Sequence, residues 1–559
     1  MTPSVPSRRD LLAAVAALGI GSTTFRRAIA AEARAEPMGP VTPDMVKNAE
    51  WIAGIELTED QRKQVAAAMT RALLDFAAMH KFDVPNSVPP CIHFMPEFAP
   101  RPAQPAPPNP RPIEIRYGPP EVEENRPAKD DDLAFVPLAK LANLVRRKKV
   151  SSTELTKLSL ARFKQYDPAL KCVISLTEEL ALKQAAEADK EIAAGKYRGP
   201  LHGIPWAAKD LIAYPGYKTT WGAGHFKEQS FDEKATVAER LDKAGAVLAA
   251  KVSLGSLALN DEWFGGKTRN PWNVKEGSSG SSAGSSASVA AGLVSFALGS
   301  ETQGSILSPC TRCGATGLRP TFGRISRHGC MALAWSMDKI GPIARSVEDC
   351  ALVFAAIHGA DGKDLTAVDR PFAWPCPRPL AELRVGYTGK EVDGRDELKV
   401  LKDLGVKLVP ITLPLKSVLP ALQLILTVES AAAFDDLTRQ GITEGLGFWP
   451  PTFQRGRFIP AVEYLRAQRV RTLLMREMAK VMEQVDLYVG GNDLVLCNMT
   501  GHPTVVMPNG KPPKAITFTG RLYGESELLA VAQAYQEATG HHLKHPDMSL
   551  VTKEIAEGK

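Results

Sequence analysis

Two serine-bearing turns and one lysine have the residue types and spacing that acyl-transfer chemistry needs. The first turn is Gly277-Ser-Ser-Gly280-Ser281-Ser282-Ala283-Gly284-Ser285, and the second is Gly299-Ser-Glu301-Thr302-Gln303-Gly304-Ser305. Between them lies an apolar segment, Ala287 to Leu298, whose composition reads as a helix. Small-residue backbone on both sides of a buried segment gathers hydroxyls and N–H donors, which attack on a carbonyl carbon and stabilisation of its oxyanion both require. A Gly/Ser run alone is usually a linker, but a linker has no need of the Val/Leu/Phe/Ala core and the second turn that follow this one. Upstream stand Gly203-Ile-Pro-Trp206-Ala-Ala-Lys209-Asp210 and Gly265-Gly-Lys-Thr-Arg-Asn-Pro-Trp-Asn273.

Together these segments resemble the amidase signature family of serine hydrolases, and the resemblance runs from roughly Asp130 to the C-terminus. Gly341-Pro342-Ile-Ala-Arg-Ser346, Asn498-Met-Thr-Gly501-His-Pro503 and Phe518-Thr-Gly520-Arg521-Leu-Tyr-Gly524-Glu525 extend it. The resemblance implies a Ser–cisSer–Lys triad in which Ser305 is the nucleophile, Lys209 the base and Ser281 the bridging serine. The repetitive run offers Ser278 as a second frame; Ser281 is chosen because it lies 24 residues before Ser305, the family's separation. Ser281 would relay the proton between Ser305 and Lys209, and the N–H groups of Thr302, Gln303, Gly304 and Ser305 would form the oxyanion hole. A lysine serves as base only while neutral, so burial or a cationic neighbour must lower its pKa.

Two departures from the family pattern carry information. The commonest nucleophile turn is Asp-x-Gly-Gly-Ser, whereas this chain has Glu301-Thr-Gln303-Gly304-Ser305; Gln303 keeps its N–H but not glycine's conformational freedom. Many members place an arginine just after the nucleophile, where this chain has Ile306, Leu307 and Ser308. An acidic substrate anchored there is therefore not expected. The sequence thus predicts an amidase that hydrolyses the C–N bond of a neutral, fairly apolar small-molecule amide through a serine acyl-enzyme. It predicts no cofactor and no metal, with Trp206 as a candidate wall of the acyl pocket. An ester or carbamate hydrolase of the same family is the alternative, followed by an exported binding protein without turnover.

Other motifs compete for the chemistry. Gly280-Ser-Ser282-Ala-Gly284 matches the G-x-S-x-G elbow of α/β-hydrolases, with His328 or His502 as partner, but the elbow should directly follow an apolar strand and Asn270–Glu276 is polar. Cys310-x-x-Cys313 lacks a second Cys/His pair at zinc spacing, so buried thiols are the simpler account. His541, His542 and His545 read as a solvated helix end. Components of the amide transferases that act on charged tRNA share the domain, but the expected export argues against that role.

The elements that must position these residues follow from the rest of the chain. With 559 residues, 44% apolar and 23% charged, there is ample material for a large core. A net charge of +6 without long basic runs argues against nucleic acid as a partner. Ser7-Arg8-Arg9-Asp10-Leu11-Leu12, the apolar run to Ile20 and Ala28-Ile29-Ala30 read as a twin-arginine signal over residues 1–35, with export to the periplasm or beyond. No segment reaches membrane-spanning length.

Residues 36–127 are read as a helical extension and a proline-rich connector. Thr58-Glu-Asp-Gln61 has capping-box form, and Val65, Met69, Leu73, Phe76 and Met79 recur at helical spacing. Residues 128–559 are read as the catalytic domain. Ser151–Glu154 starts one helix there, and Thr177–Ala193, Thr427–Phe434 and Arg466–Val485 form others. The short apolar runs Ala246–Ala250, Leu383–Tyr387 and Val406–Pro410 alternate with helices, so the expected fold is α/β: a large mixed sheet covered by helices on both faces. A homodimer is possible.

Overall fold

Apolar runs too short for helices pair into one sheet that crosses the whole domain. The computed structural model describes residues 39–82, 92, 125–389, 394–414, 416–490 and 493–556; the stretches read as a twin-arginine leader and a proline-rich connector lie outside them. Its principal strands are β1 (Val173–Leu176), β2 (Pro205–Lys209), β3 (Val247–Val252), β4 (Phe296–Glu301), β5 (Thr316–Arg319), β6 (Lys339–Ala344), β7 (Arg384–Tyr387), β8 (Lys407–Pro410), β9 (Leu487–Val489), β10 (Thr504–Pro508) and β11 (Ala515–Gly520). They form an 11-stranded sheet in the order β1-β3-β2-β4-β6-β5-β10-β11-β9-β7-β8. β3, β2 and β4 run parallel, as do β9, β7 and β8, and the strands between are antiparallel. The expected mixed α/β architecture is the one present.

Period-two alternation divides the core. Trp206, Ala208, Phe296 and Leu298 pack on one face of the sheet, while Ala207, Ala249 and Ala297 pack on the other. The helices Ser152–Leu170 and Ala283–Ala290 belong to the second face. Glu178–Ala193 buries Ala181, Ala185, Ala188 and Ile192, a stripe at helical spacing.

The segment read as one helix from Ala287 to Leu298 is divided. The helix ends at Ala290, the chain turns through Gly292 at φ +65°, and Phe296–Glu301 is β4. A short apolar run suits a buried helix or a buried strand equally, and here register with β2 and β6 decides.

The N-terminal helices Pro43–Ala53 and Glu59–His80 carry the expected capping box, with Thr58 accepting from the Gln61 N–H and Gln61 accepting from the Thr58 N–H. Val65, Met69, Phe76 and Met79 are buried in a second core with Val470, Leu474 and Met478 of the Ala461–Gln484 helix. Arg457 ties the extension down by donating to the Ala53 carbonyl at 2.5 Å. Among the described residues no helix is long and apolar enough to cross a membrane.

Candidate active site

Lys209 closes β2 and is wholly buried. Its Nζ lies 2.8 Å from Ser281 Oγ, 3.0 Å from Ser282 Oγ, 2.8 Å from Ser300 Oγ and 3.3 Å from the Ser300 carbonyl oxygen. None of these partners is a carboxylate. Burial drives the Lys209 pKa well below its usual value, against the weaker pull of Asp338 and Glu301. The adjacent Asp210 does not restore the charge. Its carboxylate faces Lys251 at 2.8 Å and accepts from Thr220 N and Oγ1 at 2.7 and 2.6 Å.

The two serine turns meet at this lysine. The Gly280–Ser281 peptide is cis, and Ser278, the other frame, donates its hydroxyl to the Ser279 carbonyl instead. Ser282 heads the Ala283–Ala290 helix; its N–H donates to the Ser305 carbonyl at 3.0 Å and its hydroxyl to the Ser300 carbonyl at 3.1 Å. Gly299 is what lets the turn lie so close to β4, since a Cβ there would sit 2.8 Å from Ser282 Oγ and 2.9 Å from Ile343 Cδ1. Ser305 is half-buried, and its carbonyl accepts from the Ser282 N–H.

Glu301 closes the turn that carries Ser305. Its Oε2 accepts from Ile306 N at 2.9 Å and Leu307 N at 3.1 Å, so one carboxylate closes residues 301–307 and meets the start of the Leu307–Cys313 helix. Oε1 takes Arg319 at 2.7 Å and Asn498 at 2.9 Å. Burial opposes the Glu301 charge, but Arg319 and Lys339 outweigh it and hold the pKa at about 2. With Ile306 and Leu307 engaged, the N–H groups of Thr302, Gln303, Gly304 and Ser305 are left without a hydrogen bond among the described residues. Gly304 sits at φ +93°, a conformation a side chain would strain, whereas Gln303 has no positive φ and tolerates its side chain. The non-glycine residue in this turn is therefore compatible with free N–H donors.

A cavity of about 160 Å³ opens beside Ser300 and Thr302, with an apolar wall of Leu211, Ala258, Met331, Leu333, Trp335 and Ile340. Trp206 does not line it, which corrects the expectation that its ring walls the acyl pocket. Alternation along β2 sends Trp206 into the core on the face opposite Ala207, where its ring stacks on Phe296 at 6.1 Å. A second, more polar cavity of about 320 Å³ touches Ser279, Leu307 and Ser308.

The competing motifs are placed elsewhere. His328 pairs with Glu233 at 2.7 Å and His502 bonds Thr500 Oγ1 at 2.8 Å, so neither stands against Ser282. Burial pushes the His502 imidazole down to about 3. Cys310 and Cys313 are buried free thiols, Cys310 against Ser286 and Cys313 against the Ser278 carbonyl. His545 is exposed, as expected of a solvated helix end, and its ring stacks on Phe135 at 4.0 Å. Sequence reasoning missed Ser300 and Asp338. Ser300 stands in a quoted motif, but nothing marks its hydroxyl as a lysine partner; Asp338 lies outside every motif.

An amine whose charge burial disfavours, held by hydroxyls, together with a half-exposed serine and four backbone donors left free among the described residues, can form an acyl-enzyme and stabilise its oxyanion. A sequence model described as Amidase matches residues 154–514. The chain belongs to the amidase family. It is 33% identical to a glutamyl-tRNA(Gln) amidotransferase subunit of Marinomonas sp. (strain MWYL1) over 479 residues, which cover 74% of this chain and 98% of that one. Among solved structures, the native peptide amidase from Stenotrophomonas maltophilia superposes with a TM-score of 0.64 at 28% identity, covering 72% of this chain and 97% of that chain. A bacterial aryl acylamidase shares the fold, with a TM-score of 0.65 at 22% identity over 73% of this chain and 98% of that one. This amidase is an enzyme acting on carbon–nitrogen amide bonds.

Proposed function

We propose that this amidase hydrolyses neutral, fairly apolar small-molecule amides through an acyl-enzyme on Ser305, with Lys209 as base and Ser281 as relay. The observation that carries the reading is the environment of Lys209: wholly buried, without a carboxylate partner, and 2.8 Å from the hydroxyl of the serine whose peptide is cis. Lys209 would accept the Ser305 proton through Ser281 and return it to the leaving amine, while the N–H groups of residues 302–305 bind the oxyanion. The acyl group occupies the apolar cavity beside Thr302.

The cavity's cation is already engaged, which supports a neutral substrate. Arg327 donates to Asp364 at 2.9 Å, to the Trp335 carbonyl at 2.6 Å and to Thr366 at 2.8 Å. A fluorophosphonate is expected to label Ser305, and aryl or alkyl amides to be turned over faster than dicarboxylic half-amides. Label recovered on Ser282, or a preference for malonamate-type substrates, would overturn this reading.

We further propose that the protein is exported by the twin-arginine route, on the strength of Arg8-Arg9 and the apolar run that follows. Replacing both arginines with lysine should leave the protein in the cytoplasmic fraction. An unchanged distribution after fractionation would refute the route.

A further inference from the structure

One carboxylate joins the wall of the apolar cavity to the nucleophile turn. Asp338 stands immediately before β6, and its Oδ1 accepts from Thr302 Oγ1 at 2.6 Å. Its Oδ2 accepts from the N–H groups of Leu333 at 2.8 Å and Ala334 at 2.9 Å. Leu333, Thr302 and Asp338 all line the cavity. Thr302 is also the first residue after β4 and one of the four with a free N–H. The Asp338 side chain thus spans the surface that receives the acyl group and the backbone that receives the oxyanion.

The charges around Lys209 single out the same residue. Asp210, just after β2, is neutralised by Lys251 of β3 at 2.8 Å. On β4 and β5, Glu301 is neutralised by Arg319 at 2.7 Å. Lys339, next to Asp338, is buried and donates to the Met337 carbonyl, while Arg327 lines the same cavity and donates to the Asp338 carbonyl at 3.4 Å; the Asp338 charge acts on both. Asp338 is held by neutral O–H and N–H donors, with no ion pair among the described residues. Of the charges acting on Lys209, that of Asp338 is the largest and that of Glu301 the second, both favouring the ammonium against the larger effect of burial.

We propose that Asp338 is a positioning residue for the hydrolysis: it clasps the cavity wall to the oxyanion turn and supplies a negative charge that is held in no ion pair among the described residues. This rests on Lys209 being the base. The clasp fixes the direction of the Thr302 N–H while the acyl group presses on Leu333. The charge sets how readily Lys209 is found neutral.

The two roles separate in the rate at which a small alkyl fluorophosphonate modifies Ser305, followed from acid to alkaline pH. Asp338→Asn removes the charge and should move the rising limb to lower pH by about one unit. Its alkaline plateau should also fall roughly tenfold as the clasp loosens. Thr302→Val breaks the clasp and keeps the charge, so the plateau should fall by a similar factor while the limb stays in place. A wild-type limb that Asp338→Asn does not move, or that Thr302→Val moves equally far, overturns the inference alone. A wild-type profile without any limb removes Lys209 as base, and this inference with it.

Discussion

Lys209→Met is expected to lower kcat by about four to six orders of magnitude while raising the thermal midpoint at neutral pH. The loss of rate follows from the proton path, since Ser281 would have no amine to pass its proton to. The gain in stability follows from linkage. Burial lowers the Lys209 pKa in the folded protein, so between that lowered value and 10.5 the unfolded state binds more protons. Wild-type stability therefore rises with pH through that window, and the cost of burying this lysine is greatest below it. Methionine removes the cost, and Ser282 keeps its bonds to the Ser300 carbonyl and N–H at 3.1 Å each. The midpoint advantage of the variant should shrink as pH approaches 10.5, which thermal scans at several pH values would show. Lys209→Arg should not rescue activity, because guanidinium stays protonated. Retention of substantial amide hydrolysis by Lys209→Met would mean that another group is the base.

Arg319→Met is expected to destabilise the fold by about 3–5 kcal/mol, since it strands a buried carboxylate. The guanidinium is wholly enclosed and bonds Glu301, the His502 carbonyl and Thr504 Oγ1. In the wild type the Glu301 pKa is lowered from 4.5 to about 2, so its stabilising contribution is complete above 4.5 and is lost as pH falls toward 2. Without Arg319, burial dominates and the pKa rises above its unfolded value, so stability should instead improve as Glu301 becomes protonated. Urea unfolding of the variant should give a higher midpoint near pH 4.5 than at neutrality, the reverse of this group's wild-type contribution. Adding Glu301→Gln should recover part of the loss. A variant as stable as the wild type would show that Glu301 is adequately held by Asn498 and the Ile306 and Leu307 N–H groups alone.

What the sequence disclosed depended on how local each feature was. The capping box at Thr58, the apolar runs of β3, β7 and β8 and the alanine stripe of Glu178–Ala193 depend on near neighbours, and the structure has them where the sequence places them. Lys209, Ser281 and Ser305 stood out because their turns are built from small residues whose order is specific to the family. Trp206 misled because proximity along a strand is not proximity in space: adjacent residues face opposite sides of the sheet. The Glu301–Arg319 pair and the Asp338 clasp were invisible because they form only when β4, β5 and β6 come together, and nothing in either partner's flanking sequence signals that pairing.

The cover that the Pro43–Ala53 and Glu59–His80 helices provide has a consequence for solubility. A chain begun at Asn125 would keep every residue of the catalytic cluster, yet it would bare the face around Val470, Leu474 and Met478 that Val65, Met69 and Met79 now shield. Apolar ground of that kind is what neighbouring copies stick to. Such a shortened enzyme would precipitate or self-associate with its chemistry intact, and the extension serves as a shield the catalytic domain needs in order to remain dispersed in water.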